Sequence, residues 1–188
     1  MHKVCRELAE SLLAIGGVDS LSERMTVTAN TSADLKAREN LSRHAYGAQF
    51  VEVWVDMDTG ELRVPRMVGV FAAGRIVNPR TARSQLIGGM TMGLSMALHE
   101  EGAMDGRFGD YANHDFAGYH IASCADVGSI EVECLDELDT RINPLGTKGI
   151  GEIGIVGTAA AVANAVYHAT GVRVRDLTIQ LEDTLGLQ

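Results

Sequence analysis

Aromatic residues make up only 5% of this 188-residue chain, so any core must be built from aliphatic and small side chains. Cysteines number three, Cys5, Cys124 and Cys134, with no CxxC pair. That odd, scattered set reads as free thiols and excludes a disulfide framework. It also excludes the cysteine pattern of an iron–sulfur cluster, so any electron carrier lies outside this chain. No long basic run is present and the formal net charge is −9, which removes the electrostatic footprint of nucleic-acid binding. No apolar stretch approaches the length of a membrane span. The first residues, MHKVCRELAESLLAIGG, carry Arg6, Glu7 and Glu10, too much charge for a signal peptide. No metal-ligand spacing links the histidines, His2, His44, His99, His114, His120 and His168. No G-x-S-x-G nucleophile elbow occurs.

What is abundant is glycine, 21 residues, many inside apolar segments where it weakens helices and strands. Such placement points to backbone approaching backbone, or backbone approaching a ligand. Hydrophobic residues reach 46%, enough for a genuine core.

Val4, Leu8 and Leu12 predict a short amphipathic helix over 2–14, ended by Gly16-Gly17. Residues 18–47 are polar and irregular. Residues 48–74 read as a hairpin, strand–turn–strand, with Asp56 to Gly60 at the turn and Pro65 marking an edge or a bulge. Asn78-Pro79 is a helix start, and Leu86, Met90, Leu94 and Leu98 carry that helix to about 101. Gly88, Gly89 and Gly93 lie inside it, each costing roughly 1 kcal/mol against Ala, so close packing on a cofactor or another backbone is expected. Met90, Met92 and Met96 read as helix packing. After a loop-rich stretch over 102–126, residues 130–135 alternate as a strand with one wet face. Asp136, Glu137 and Asp139 read as a solvated turn. A second, Ala-rich helix is expected over 153–169 with Gly171 as its C-cap, then a last strand over 172–179. Strands and helices mix without strict alternation, so the class is α+β.

The segment Gly146-Thr147-Lys148-Gly149-Ile150-Gly151-Glu152-Ile153-Gly154 is the most informative. It formally contains G-x-G-x-x-G, but no strand precedes it and only residues 155–188 follow, which argues against a dinucleotide-binding loop. Two further readings of the residues compete with it. Glu152 is either a favourable acid at a glycine-capped helix start, or a carboxylate poised beside a cofactor as a general base.

This segment with GTAAAVANAVYHATG after it, NPRTARSQLIGGMTMGLSMALHEE over 78–101, and DYANHDFAGYHI over 110–121 resemble the C-terminal signature of the xanthine dehydrogenase/aldehyde oxidase family. The resemblance is to its molybdenum-binding subunit, in particular the bacterial periplasmic-type aldehyde oxidoreductases, and spans roughly Ser32 to Leu185. It implies a partial C-terminal molybdopterin-binding domain over 32–188 behind an atypical helix and linker over 1–31. By resemblance Glu152 is the base acting on a molybdenum-bound hydroxyl. Gln85 hydrogen-bonds the pterin, Gly88 and Gly89 admit it, and Lys148, Gly149, Ile150 and Gly151 form the loop against it. No protein side chain ligates the metal. The implied cofactor is molybdopterin, as its cytosine dinucleotide with molybdenum, and the implied reaction is oxidation of aldehydes or aromatic heterocycles with water as oxygen source. The implied partners are the missing N-terminal half of the molybdenum subunit, a [2Fe-2S] subunit and an FAD subunit, in the cytoplasm or exported with a partner. Family subunits are several times longer, so a non-catalytic module derived from the same fold is the alternative.

Overall fold

A computed structural model describes residues 2–20 and 23–185. Positions 1, 21, 22 and 186–188, which belong to the two sequence segments set apart above, lie outside the described residues. Helix α1 (His2–Ala14) ends where the N–H groups of Gly16 and Gly17 turn back onto the carbonyls of Leu13 and Leu12. Among the described residues of 18–45 there are a 3-10 turn (Val18–Ser20) and the five-residue helix α2 (Ser32–Lys36), tied down by Arg38 donating to the Ile142 carbonyl at 2.7 Å.

The scaffold is a three-stranded sheet ordered β1-β2-β5: β1 (Tyr46–Val55), β2 (Leu62–Ala72) and β5 (Ser129–Cys134). The first two form the expected antiparallel hairpin, and β5 runs parallel to β2. Pro65 sits in the middle strand, yet it obeys the rule that bars proline from a ladder. The β1–β2 register slips between Glu52 and Trp54, opposite Pro65, and pairing with β5 starts only at Arg66. The slip also switches faces: Val64 points inward before it, and Met67 and Phe71 after it.

Helix α3 (Pro79–Leu98) and helix α4 (Thr158–Thr170) cover one face of the sheet. The Asn78 side chain caps α3 by accepting from the Arg80 and Thr81 N–H groups. Leu86, Met90, Leu94 and Ala97 are fully buried with Val162 and Val166 of α4 and Met67 and Phe71 of β2. Apart from Phe71 the core is built from aliphatic side chains and methionine; Tyr46, Phe50, Trp54, Phe108 and Phe116 are all exposed.

Five expectations change. Helix α3 stops at Leu98 rather than 101, because the N–H groups of His99 and Glu100 both close on the Ser95 carbonyl. Met92 and Met96 do not pack: with Gly88 they form the outward stripe of α3, and only Met90 is buried. Residues 102–126 contain a small hairpin, β3 (Met104–Asp105) with β4 (Asp110–Tyr111). Helix α4 starts at Thr158, five residues later than expected, because 152–157 forms turns in which Ile155 donates to Glu152 and Thr158 to Ile155. Residues 172–179 form no strand. Val174 and Ile179 dock by their side chains, and the Ile179 N–H bonds the Ala97 carbonyl at 2.9 Å, so α3 receives this segment where a sheet edge was expected. Gly171 does cap α4, with φ 79°. The short helix α5 (Leu181–Thr184) closes the described chain.

Candidate active site

The glycine loop is anchored at its start by β2's exit. Gly74 and Gly146 both adopt positive φ, 66° and 69°, and a Cβ on Gly74 would lie 2.3 Å from the Gly146 carbonyl. Arg75 N–H donates to Gly146 and Lys148 N–H to Ala73, which stitches the loop antiparallel to residues 73–75. The Lys148 side chain is 5% exposed, and its ammonium pairs with Glu137 and, at 3.5 Å, with Asp139. This corrects the reading of 136–139 as a solvated turn: two of its three carboxylates fold back on a lysine nine or more residues along. Glu137 also accepts the Gly74 N–H at 3.1 Å. The hydrogen bond from Lys148 holds the Glu137 carboxyl below its ordinary range, and the same bond raises Lys148.

From there the loop alternates. Lys148 and Ile150 turn into the protein, Ile150 against the core, while a Cβ on Gly149 or Gly151 would meet nothing within 4 Å. The Gly151 carbonyl accepts from Gln85 Nε2 at 2.7 Å. Glu152 follows, exposed, with its own carbonyl taken by Ile155 N–H at 3.1 Å. Because α4 begins six residues on, Glu152 is not in the helix's first turn, and the helix dipole is not what acts on it. Gly154 then crosses α3: a Cβ there would lie 2.7 Å from the Leu86 carbonyl, and one on Gly89 would lie 3.0 Å from Gly154. Gly93 meets Thr158 in the same way, at 2.6 Å.

Two adjoining clefts run along this junction. One, of about 580 Å³, is lined by Arg75, Gln85, Lys148, Ile150 and Gly151 among others. The other, about 570 Å³, is lined by Ser84, Gln85, Gly88, Gly89, Met92, Gly151 and Glu152 with Thr81 and Ile155. They share Thr81, Gln85 and Gly151, and so read as one trough. Seven of the eight residues singled out from sequence line it; Gly149 is exposed beside it. Gly88 contributes open space, since a Cβ there would touch nothing within 4 Å, whereas Gly89's Cβ direction is filled by Gly154. Lys148 offers the trough its stem, its ammonium being committed elsewhere.

Sequence reasoning missed Gln49 and Thr158. Gln49 Nε2 donates to the Gly154 carbonyl at 3.0 Å and to Ile153 at 3.3 Å, and the Thr158 hydroxyl lies 2.6 Å from Gln49 Oε1. The available signal was a broken pattern: Gln49, Val51, Val53 and Val55 share the inward face of β1, and an amide among valines needs a partner. Among the described residues no cluster of His, Cys, Asp and Glu could hold a metal ion, and no helix is long and apolar enough to cross a membrane.

Residues 3–128 match the molybdopterin cofactor-binding domain family, and the chain belongs to it. Over 140 residues it is 54% identical to the aldehyde oxidoreductase molybdenum-binding subunit PaoC of Escherichia coli K12, covering 74% of this chain and 19% of that one. It is 33% identical over 138 residues to the gamma subunit of the 6-hydroxypseudooxynicotine dehydrogenase complex of Paenarthrobacter nicotinovorans, covering 73% and 17% of the two chains. The aldehyde oxidoreductase structure from Desulfovibrio desulfuricans superposes with a TM-score of 0.67 at 31% identity, over 76% of this chain and 15% of that one. The chain thus spans about a fifth of the length of the curated relatives it matches.

Proposed function

We propose that this chain is the glutamate-bearing part of a molybdenum hydroxylase that oxidises aldehydes or aromatic heterocycles with water as oxygen source, completed by further polypeptide. The observation that carries the reading is the trough itself, where Gln85 braces Gly151 and Glu152 stands exposed on the wall next to it. The residues fit a bulky pterin: Gly88 and Gly151 leave Cβ-sized space open along the trough, and Gln85, Thr81 and Ser84 supply polar atoms at its rim. Bound there as its cytosine dinucleotide, the molybdenum cofactor would supply the two-electron oxidation and the activation of water.

The chain's own part is positioning and proton transfer. Glu152's peptide is fixed on both sides, by Gln85 at the preceding carbonyl and by the turn through Ile155 at its own. Its carboxylate is left facing the trough, where it takes the proton lost by the attacking water-derived oxygen. Lys148, its ammonium paired with Glu137 and Asp139, holds the loop's near end and directs no uncompensated positive charge at the site. Electrons leave through partners, a [2Fe-2S] subunit and an FAD subunit, since the three free cysteines cannot build a cluster. Those free thiols favour a cytoplasmic assembly.

The test is molybdenum and pterin analysis of the chain alone and after co-expression with the remainder of the subunit. Stoichiometric cofactor on co-expression, and turnover abolished by Glu152→Gln with cofactor retained, is the expected result. Cofactor in neither preparation of a folded chain would replace this reading with a non-catalytic module of the same fold. Full turnover in Glu152→Gln would remove Glu152 from the chemistry.

A further inference from the structure

Glu152 is bracketed by two side-chain amides from different elements. Gln85 of α3 donates to the carbonyl of Gly151, one residue before it. Gln49 of β1 donates to the carbonyls of Ile153 and Gly154, the two residues after it. The first amide lines the trough; the second lies behind it, part-buried, on the row that otherwise carries Val51, Val53 and Val55.

Three features make Gln49 a fixed strut. Its oxygen is engaged by Thr158, which is fully buried, so the amide has one orientation that satisfies both ends. Its carrier strand is paired with β2 along its length, so the strut rests on the rigid sheet. The chain opposite is built to receive it: a Cβ on Gly157 would lie 3.3 Å from Gln49 Cδ, tight contact for a side chain held in place on both sides. The turn from Glu152 to Gly157 belongs to neither helix nor sheet, and the N–H groups of Ile155 and Val156 turn back on the Glu152 carbonyl. Without Gln49 the Ile153 carbonyl loses its side-chain partner. The Thr158 hydroxyl, with one proton, can then serve only Gly154, which lies 3.0 Å away.

We propose that Gln49 is a positioning residue for Glu152: from β1 it fixes the two carbonyls after the glutamate as Gln85 fixes the one before. This rests on Glu152 being the base, and the experiment separates the two ideas. It uses Gln49→Leu, with Gln49→Glu as the second variant in case the first fails to fold, and Glu152→Gln alongside. In the chain itself, hydrogen exchange of the amides over 153–157 should speed up by about tenfold or more, while the β1–β2 ladder keeps its protection. In the cofactor-loaded assembly, kcat per bound molybdenum should fall by about tenfold to a hundredfold. KM should stay within about twofold, because the lost element acts in the transition state. Exchange that rises equally across β1, β2 and α4, with kcat per molybdenum unchanged, would mean Gln49 is a packing residue and overturn the proposal. Wild-type kcat per molybdenum in both Gln49 variants beside a dead Glu152→Gln overturns the proposal alone. Full turnover in Glu152→Gln overturns the functional reading, and this proposal with it.

Discussion

Two sets of glycines meet at the junction of α3 and the loop, and they do opposite things. Gly89, Gly93 and Gly154 are closed: backbone or Thr158 occupies the space a side chain would need, at 2.6 to 3.0 Å from a Cβ. Gly88, Gly149 and Gly151 are open: a Cβ on any of them would meet nothing within 4 Å. The closed set lets two backbones approach and so fixes where Glu152 stands. The open set contributes nothing to this chain's packing, and its helical member, Gly88, weakens α3. On the proposed reading, the open space at Gly88 and Gly151 is room for the cofactor.

The largest expected effect falls on the closed set. Gly93→Ala drives a Cβ to 2.6 Å from the Thr158 Cβ, and Gly154→Ala drives one to 2.7 Å from the Leu86 carbonyl. Each should lose about 1–3 kcal/mol despite the better helix propensity of alanine at position 93. Denaturant titration measures it; wild-type stability in Gly154→Ala would show that the crossing is loose. Gly88→Ala should go the other way. With open space around it, alanine should stabilise the chain by up to about 1 kcal/mol. The same methyl narrows the trough, so molybdenum content of the assembled protein should fall. Full loading of Gly88→Ala would break the contrast between the two sets.

The same distinction explains what the sequence could and could not disclose. Asn78-Pro79 and the Leu86-Met90-Leu94 stripe sufficed for α3, because capping and periodicity are local. The β1–β2 hairpin was equally legible; of the two readings of Pro65, an edge or a bulge, the structure keeps the bulge, in the middle strand. Seven of the trough's residues could be named through the family likeness, since they fall in two contiguous motifs, 85–89 and 148–152. What failed was tertiary. Gly151 to Gly157 looks like a helix start, but Gly154 must pass over Leu86 and Gly89, and the turn it makes there delays α4 to Thr158. Val172 to Ile179 has strand-like composition, yet the site it fills offers side-chain pockets and the Ala97 carbonyl, with no free ladder. Glu137 and Asp139 looked solvated because their partner, Lys148, is brought back by the positive-φ glycines at 74 and 146.

That ion pair gives the smallest and most specific prediction, because it secures the near end of the loop through carboxylates that are themselves partly exposed. Glu137 is held below its ordinary value of 4.5 by the Lys148 hydrogen bond first, with the Gly74 N–H helping and Asp139 opposing. A depressed carboxyl contributes stability that is fully present above the unfolded value and is lost as pH falls through the lower folded one. Lys148 is raised above 10.5 by the same bond, so its share is present below that value and is lost as pH rises through the higher folded one. Between the two limits the pair's contribution is flat. Glu137→Gln should therefore lower Tm by a constant amount near neutrality, and the gap to wild type should close as pH falls below about 4.5. Asp139, at 3.5 Å, still reaches Lys148 in that variant, which keeps the loss modest. Tm measured against pH for both proteins decides it. A gap that persists undiminished into acid would mean that Glu137 acts through its hydrogen bond to Gly74 and its shape, and that the charge on Lys148 is balanced by Asp139 alone.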